Sequence, residues 1–333
     1  MTAPAYLPGM SSAQYLAEMA VSHPRLRALL DPDRLDRAVA SREPAAWENE
    51  FDSDSGGRGD SYRRAQRDPL VRWTGVRRLL GLTVPAGRGR EVVVLDVLGG
   101  DGTVARAAAL RPGESPAGLE VLTGDISGPM VAAALANGLP AVRQAADRLL
   151  LADDTVDAVL LAYGTHHIPD GTRPQAVAEA LRVVRPGGRV VLHDFAPDSA
   201  MADFFRVVSR HGTVRHDYAH FTHPELRKLF EDRCPQVRVL DVYDPFTVLA
   251  PTPDRARAAM VAHMGESYGL AGHFEAIGPD AAWQLLAEAF DHTDRPTPPE
   301  HRAVRPTVRL VPEGYVAELP RVAVVAVAEK PGA

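Results

Sequence analysis

The segment that most constrains this chain is Val92-Val93-Val94-Leu95-Asp96, followed by Val97-Leu98-Gly99-Gly100-Asp101-Gly102-Thr103. Its first half is apolar at successive positions and rich in β-branched residues. That predicts a strand buried on both faces, as in a parallel sheet. The glycines that follow predict a tight turn, and Val104 to Leu110 predicts a helix opening on that turn. Such a junction lets the backbone approach a polar ligand and aims the free N–H groups of the helix end at it.

The residues downstream repeat the same alternation. Strands are expected at Leu119–Asp125, Ala141–Asp147, Thr155–Tyr163, Arg189–Phe195, Val237–Tyr243 and Arg321–Ala328, with helices near Pro129–Asn137, Pro174–Val184, Met201–Arg210 and Pro224–Glu231. This predicts an α/β fold: a doubly wound, Rossmann-like, seven-stranded sheet. Ligands are then expected at the carboxyl ends of the strands. The helical spacing of Tyr15, Leu16, Met19 and Ala20, and of Leu70, Trp73, Val76, Leu79 and Leu80, predicts helices ahead of the sheet. The expected organisation is an N-terminal helical cap over 1–90 and a ligand-binding core over 91–243. A helical lid insertion over 244–319 and a last core strand with its tail over 320–333 complete it. Within the insertion, helices are expected near Asp254–Tyr268 and Asp280–Phe290, with a Pro-rich loop from Arg295 to Pro306.

Composition excludes several function classes. The net charge is −6 with no basic run, so nucleic-acid binding is not expected. Cys234 is the sole cysteine, so no intrachain disulfide forms and a reducing, cytoplasmic setting is expected. The first residues lack a basic stretch leading into an apolar core, so no signal peptide is expected. No apolar run approaches the ~20 residues of a membrane span, so no membrane partner is expected. A small-molecule substrate fits these bounds. A homodimer through the N-terminal helices is one assembly open to the chain.

The ordered motifs resemble those of the class I S-adenosylmethionine-dependent methyltransferases, over about Glu91 to Pro197. The resemblance implies S-adenosylmethionine as cofactor and assigns roles residue by residue. Asp96, Gly100 and Gly102 match the acidic and glycine positions of the first motif. Leu98 replaces its usual first glycine, with Gly99 beside it. Asp125 matches the carboxylate that receives the ribose hydroxyls, and Ile126 the residue packed on adenine. Asp147 matches the acceptor for the adenine amino group, with Arg148 next to it. Tyr163 falls near the methionine half, and Leu181-Arg182-Val183-Val184-Arg185-Pro186-Gly187-Gly188 matches the helix and turn before the fifth strand.

Three histidine groups stand at strand ends or just beyond: His166-His167, His193-Asp194, and His216-Asp217-Tyr218-Ala219-His220 with His223 nearby. All three could converge above the sheet. The His216–His220 group reads as a solvated loop, a metal site or a catalytic base; imidazoles with a carboxylate suit Zn, Fe or Ni. His166-His167 reads as a base or as a pair that positions substrate. The combination of Asp96-Val97-Leu98-Gly99-Gly100-Asp101-Gly102, Thr165-His166-His167 and Arg215-His216-Asp217-Tyr218-Ala219-His220-Phe221 is similar to a narrower group, the metal-dependent C-methyltransferases of 2-oxo acids in bacterial peptide-antibiotic pathways. That likeness implies methylation at the carbon next to a ketone. His166 and His167 would be catalytic, and His216, Asp217 and His220 would hold a divalent metal. Two other readings stay open: an O- or N-methyltransferase of a small natural product using the histidines as base without metal, and a non-catalytic protein of the same fold.

Overall fold

The computed structural model describes residues 5–41, 51, 59–84, 91–213, 218–234, 236–294 and 303–332. The chain opens with a hairpin, β1 (Ala5–Leu7) and β2 (Met10–Ser11), and the helices α1 (Ser12–Ser22), α2 (Pro24–Leu29) and α3 (Pro32–Ala40). Ser11 begins α1 with a capping box shared with Gln14, and Asp31 caps α3, each meeting backbone N–H groups that a helix end leaves unpaired. After α4 (Gly59–Ala65), a 3-10 turn at Pro69–Arg72 leads into α5 (Trp73–Thr83).

The core then alternates as expected: β3 (Val92–Asp96), α6 (Thr103–Leu110), β4 (Leu119–Asp125), α7 (Gly128–Ala136), β5 (Ala141–Arg143), β6 (Val156–Leu161), α8 (Arg173–Val183), β7 (Val184–Asp194), α9 (Ala200–His211), α10 (His223–Glu231) and β8 (Arg238–Tyr243). Beyond it lie β9 (Phe246–Ala250), α11 (Pro253–Tyr268), α12 (Ala271–Ile277), α13 (Pro279–Ala289), β10 (Thr307–Val311), β11 (Gly314–Leu319) and β12 (Val322–Glu329).

The main sheet has seven strands in the order β5-β4-β3-β6-β7-β12-β8. β3 runs parallel to β4 and β6, whereas β12 enters antiparallel between β7 and β8. The connections reverse direction between β3 and β6, which opens a crevice above their carboxyl ends. Successive residues of β3 serve opposite faces. Val92 and Val94 join one core with α5, α6 and α9, while Val93 and Leu95 join a second with α1, α7 and α8. That double burial explains the unbroken apolar run in the sequence. The first hairpin and α1 cover the β5 edge: Tyr6 Oη donates to Arg143 O at 2.6 Å and Tyr15 Oη to Ala141 O at 2.7 Å. Both carbonyls would otherwise be open edge acceptors.

Three boundaries differ from expectation. β5 stops at Arg143 rather than Asp147, because Ala145 and Arg148 pair across a turn and Gln144 Oε1 receives Leu150 N at 2.8 Å. β7 begins at Val184 and takes in Pro186-Gly187-Gly188, with Gly187 at φ +73°. The insertion is not purely helical: β9, β10 and β11 form an antiparallel sheet in the order β10-β11-β9. β10 and β11 are linked by two residues, Pro312 and Glu313, between the paired Val311 and Gly314. Residues 295–302 of the expected Pro-rich loop lie outside the described residues. Among the described residues, no helix is long and apolar enough to cross a membrane.

Candidate active site

The turn after β3 is held from both sides. Gly99 N donates to Gly124 O at 2.8 Å, and Gly100 adopts φ +57°, which glycine tolerates without strain. A Cβ on Gly99 would stand 2.8 Å from Thr123 Cγ2 and 3.0 Å from Asp96 Oδ2, so the backbone here sits where no side chain fits. Gly102, at φ +86°, starts α6; a Cβ there would fall on the Leu139 side chain. Its part is backbone geometry, and it does not line the cavity described next.

A cavity of about 380 Å³ opens above the carboxyl ends of β3, β4 and β6, within the size range of small-molecule sites. Asp96, Leu98, Gly99, Gly100, Asp125 and Ile126 line it on one side, and Tyr163, Gly164 and His167 on another. Asp125 is oriented by two backbone donors, Gly100 N to Oδ2 at 2.9 Å and Ser127 N to Oδ1 at 2.8 Å. Asp96 is 2% exposed. Burial, and then the nearby charge of Asp125, push its carboxyl up to about 8, against the pull of a hydrogen bond from the Leu98 backbone.

Two of the expected cofactor-site residues lie off the cavity wall. Asp147 and Arg148 sit on the turn beyond β5, with Arg148 Nε 3.9 Å from the Asp147 carboxylate, and neither lines the cavity. The early end of β5 carries them aside.

Tyr163 has φ +61°, an uncommon conformation for a non-glycine residue, at the sharp exit from β6. Its hydroxyl donates to Asp244 Oδ1 at 3.2 Å, and its ring lies 4.5 Å from that of His193. His193, fully buried on β7, reaches Asp244 Oδ2 with Nε2 at 3.2 Å. Arg321, just before β12, meets the same carboxylate at 2.8 Å. This buried group joins β6, β7 and β12 beneath the cavity.

The histidine segments converge in part. His166 Nδ1 lies 3.0 Å from Asp194 Oδ2, and His220 Nδ1 lies 3.2 Å from Asp194 Oδ1. Ligand-type atoms of the three residues all fall within 4.8 Å of one another. Two backbone groups, His166 N and Phe195 N, also donate to Asp194, each at 2.7 Å. Burial works against the Asp194 charge, but the two histidines outweigh it and hold the carboxyl well below the usual range. Phe205 stacks on His220 at 5.1 Å and 10°. Arg173, at the start of α8, braces both histidine segments: its Nη2 donates to His166 O at 3.2 Å and Ala219 O at 2.7 Å. Of the expected metal set His216, Asp217 and His220, only His220 lies within the described residues. It meets Asp194, and its ring lies 5.0 Å from that of His166. Asp194 was visible beside His193 at a strand end, but its partnership with residues 26 and 28 positions away was not. His167 turns instead to the cavity, with its ring 4.4 Å from that of Tyr218.

Residues 95–192 match the methyltransferase domain family. The domain spans β3 to β7 and holds every cavity residue that follows β3, β4 and β6. Demethylmenaquinone methyltransferase of Mycolicibacterium paratuberculosis is 41% identical over 75 residues, 22% of this chain and 32% of that protein. The ubiquinone/menaquinone biosynthesis C-methyltransferase UbiE of Syntrophotalea carbinolica is 33% identical over 134 residues, 38% of this chain and 53% of that one. The chain thus spans about a third to a half of the length of these relatives. Among solved structures, the YcgJ protein of Bacillus subtilis aligns with TM-score 0.44 at 20% identity, covering 77% of this chain and 99% of that one. A SAM-dependent methyltransferase of Thermotoga maritima aligns with TM-score 0.46 at 15% identity, covering 81% and 94%.

Proposed function

We propose that the chain is an S-adenosylmethionine-dependent methyltransferase acting on carbon, with a 2-oxo acid as acceptor, methylated at C3, in natural-product biosynthesis. The observation that carries the methyltransferase reading is the methyltransferase domain with its cavity walled by Gly99 and Asp125. The residues present suit S-adenosylmethionine: Gly99 and Gly100 bring backbone without side chain to the cavity wall, Asp125 offers a carboxylate to hydroxyl groups, and Ile126 offers an apolar surface. When bound, the cofactor supplies an electrophilic methyl group on sulfonium. The relatives' printed name, C-methyltransferase, is in line with a carbon acceptor.

His166, Asp194 and His220 form a donor set of two imidazoles and one carboxylate, which suits Zn, Fe or Ni. A divalent ion there would act as a Lewis acid on a chelating 2-oxo acid and favour its enolate. The chain's own contribution is positioning. Arg173 and Phe205 fix the two imidazoles, and Tyr163 and Gly164 shape the wall above β6. His167, lining the cavity, is placed to take the C3 proton. The new bond then forms from C3 to the methyl carbon as the carbon–sulfur bond breaks, leaving S-adenosylhomocysteine.

A second reading, methyl transfer to oxygen or nitrogen without metal, is favoured by one observation. Asp194 already receives two backbone N–H groups and two imidazoles, which fills the lone-pair sites of a carboxylate without an ion. The deciding experiment is a screen of 2-oxo acids for deuterium exchange at C3, run with metal analysis of the purified protein. Exchange that requires one equivalent of bound transition metal and disappears with chelator supports the enolate route. Full methyl transfer in metal-free protein would sink it in favour of the second reading. Failure to bind S-adenosylhomocysteine by calorimetry would remove both.

A further inference from the structure

Arg72 closes the 3-10 turn before α5 and is 5% exposed. Its Nε is shut off from solvent with no hydrogen-bond partner, and no hydrogen bond or ion pair among the described residues ends on its guanidinium. The guanidinium lies 5.1 Å from the Tyr163 ring centre and 5.5 Å from that of Phe246. Aromatic faces ease the burial of a cation but do not neutralise it.

Asp244 favours the Arg72 charge, but it is already engaged by Arg321 at 2.8 Å, by His193 at 3.2 Å and by the Tyr163 hydroxyl. Burial and Asp244 push the Tyr163 hydroxyl well up, so it stays neutral. Burial, with Arg72 and Arg321 nearby, pushes His263 down to about 3, so it too is neutral. Among the described residues, two guanidinium groups therefore share one buried carboxylate, Asp244. An unmatched buried charge is strongly destabilising. A ligand carboxylate would give this guanidinium a hydrogen-bonded partner.

We propose that Arg72 receives a carboxylate of the methyl acceptor. The guanidinium fork matches a carboxylate in plane, with two parallel donors. Its position separates acceptor from cofactor. Arg72 lines the main cavity and also a small inner one of about 30 Å³, which it shares with Tyr163, His166, His167 and Phe205. No residue of the β3 glycine turn, and none following β4, lines that inner space. The acid group is thus held on the histidine side of the site. The proposal rests on the reading that this cavity takes a methyl acceptor, and it does not depend on a metal.

The test is calorimetric titration of the full chain, stripped of metal with chelator and saturated with S-adenosylhomocysteine, using butanoate and butanamide as probes. Butanoate is expected to bind at least about tenfold more tightly than the amide, the scale of a charge-assisted hydrogen-bonded pair. Arg72→Met is expected to erase that preference while S-adenosylhomocysteine affinity stays within about twofold. Arg72→Lys, which keeps the charge but loses the fork, is expected to weaken butanoate by about tenfold. Equal binding of acid and amide by the unmodified protein overturns the proposal, and that contrast reads out even if a variant does not fold. So does an Arg72→Met protein that loses S-adenosylhomocysteine but keeps butanoate, because the guanidinium then serves the cofactor's own carboxylate. An unmodified protein that fails to bind S-adenosylhomocysteine speaks against the methyltransferase reading; the acid–amide contrast on the bare chain still decides the role of Arg72.

Discussion

At Gly99 the space beside the backbone is already taken by Thr123 and Asp96. Gly99→Ala forces the turn outward. It is expected to weaken S-adenosylhomocysteine binding at least about tenfold by calorimetry and to lower stability by ~1–3 kcal/mol, the usual cost of overpacking. Asp96 makes a different prediction. Its folded carboxyl keeps a proton up to about pH 8, whereas an unfolded one loses it near pH ~4. The folded state binds the extra proton across that window, so this contribution is present at low pH and is lost as pH rises through about 8. The unliganded protein should therefore lose melting temperature relative to Asp96→Asn over this range. Parallel curves for the two proteins would remove Asp96 from the account. At Asp194, Asn keeps the shape but drops the charge that offsets both histidines. Asp194→Asn should purify without the transition metal that the enolate route needs; undiminished metal content would exclude the three-residue site.

The elements show how such residues are kept in place. α8 contributes its first side chain, Arg173, to the backbone on either side of the histidine cluster, so helix packing and site geometry are coupled. The guanidinium also lies 4.1 Å from the Phe221 ring centre, which fixes its direction. Arg173→Met is expected to cost ~2–4 kcal/mol, since it leaves buried carbonyls unpaired, and to weaken metal by about 10- to 100-fold, as loss of outer supports does. Competition with a chelating dye measures the second effect apart from the first. α5 is held as closely: a Cβ on Gly75 would fall on the Asp244 carboxylate beside the Tyr163 hydroxyl. Gly75→Ala should therefore disturb the network under the cavity despite the better helix propensity of Ala. A rise in melting temperature would contradict that packing.

Across the whole molecule, one sheet divides two cores, and the N-terminal hairpin, α1 and α3 belong to one of them through Tyr6, Tyr15 and Leu35. The insertion belongs to the other through Phe246, Met260 and Phe290. Neither part buries its apolar face without the sheet, so denaturant unfolding followed by fluorescence and by circular dichroism should show coincident transitions. An early, separate loss of helix would show that one layer melts alone. The alternation of strands and helices, the two-faced burial of β3, and the placing of Asp96, Gly99 and Asp125 at one crevice were all legible in the sequence. Each rests on local signals: apolar period, glycine at a strand end, and a carboxylate closing the next strand. The insertion's small sheet was missed because its strands pair across a long gap in sequence, from Phe246–Ala250 to Gly314–Leu319. The position of Asp147 and Arg148 off the cavity was not legible, because the end of β5 is set by a turn and by Gln144, not by apolar content. The histidine segments were visible in the sequence, but not their partners. Only the tertiary structure brought His220 to Asp194 and His166, and left the Nε of Arg72 buried with no hydrogen-bond partner among the described residues. Periodicity is carried by neighbouring residues along the chain; charge pairing in a low-dielectric interior is settled by which distant strands and turns come within a few ångströms of one another.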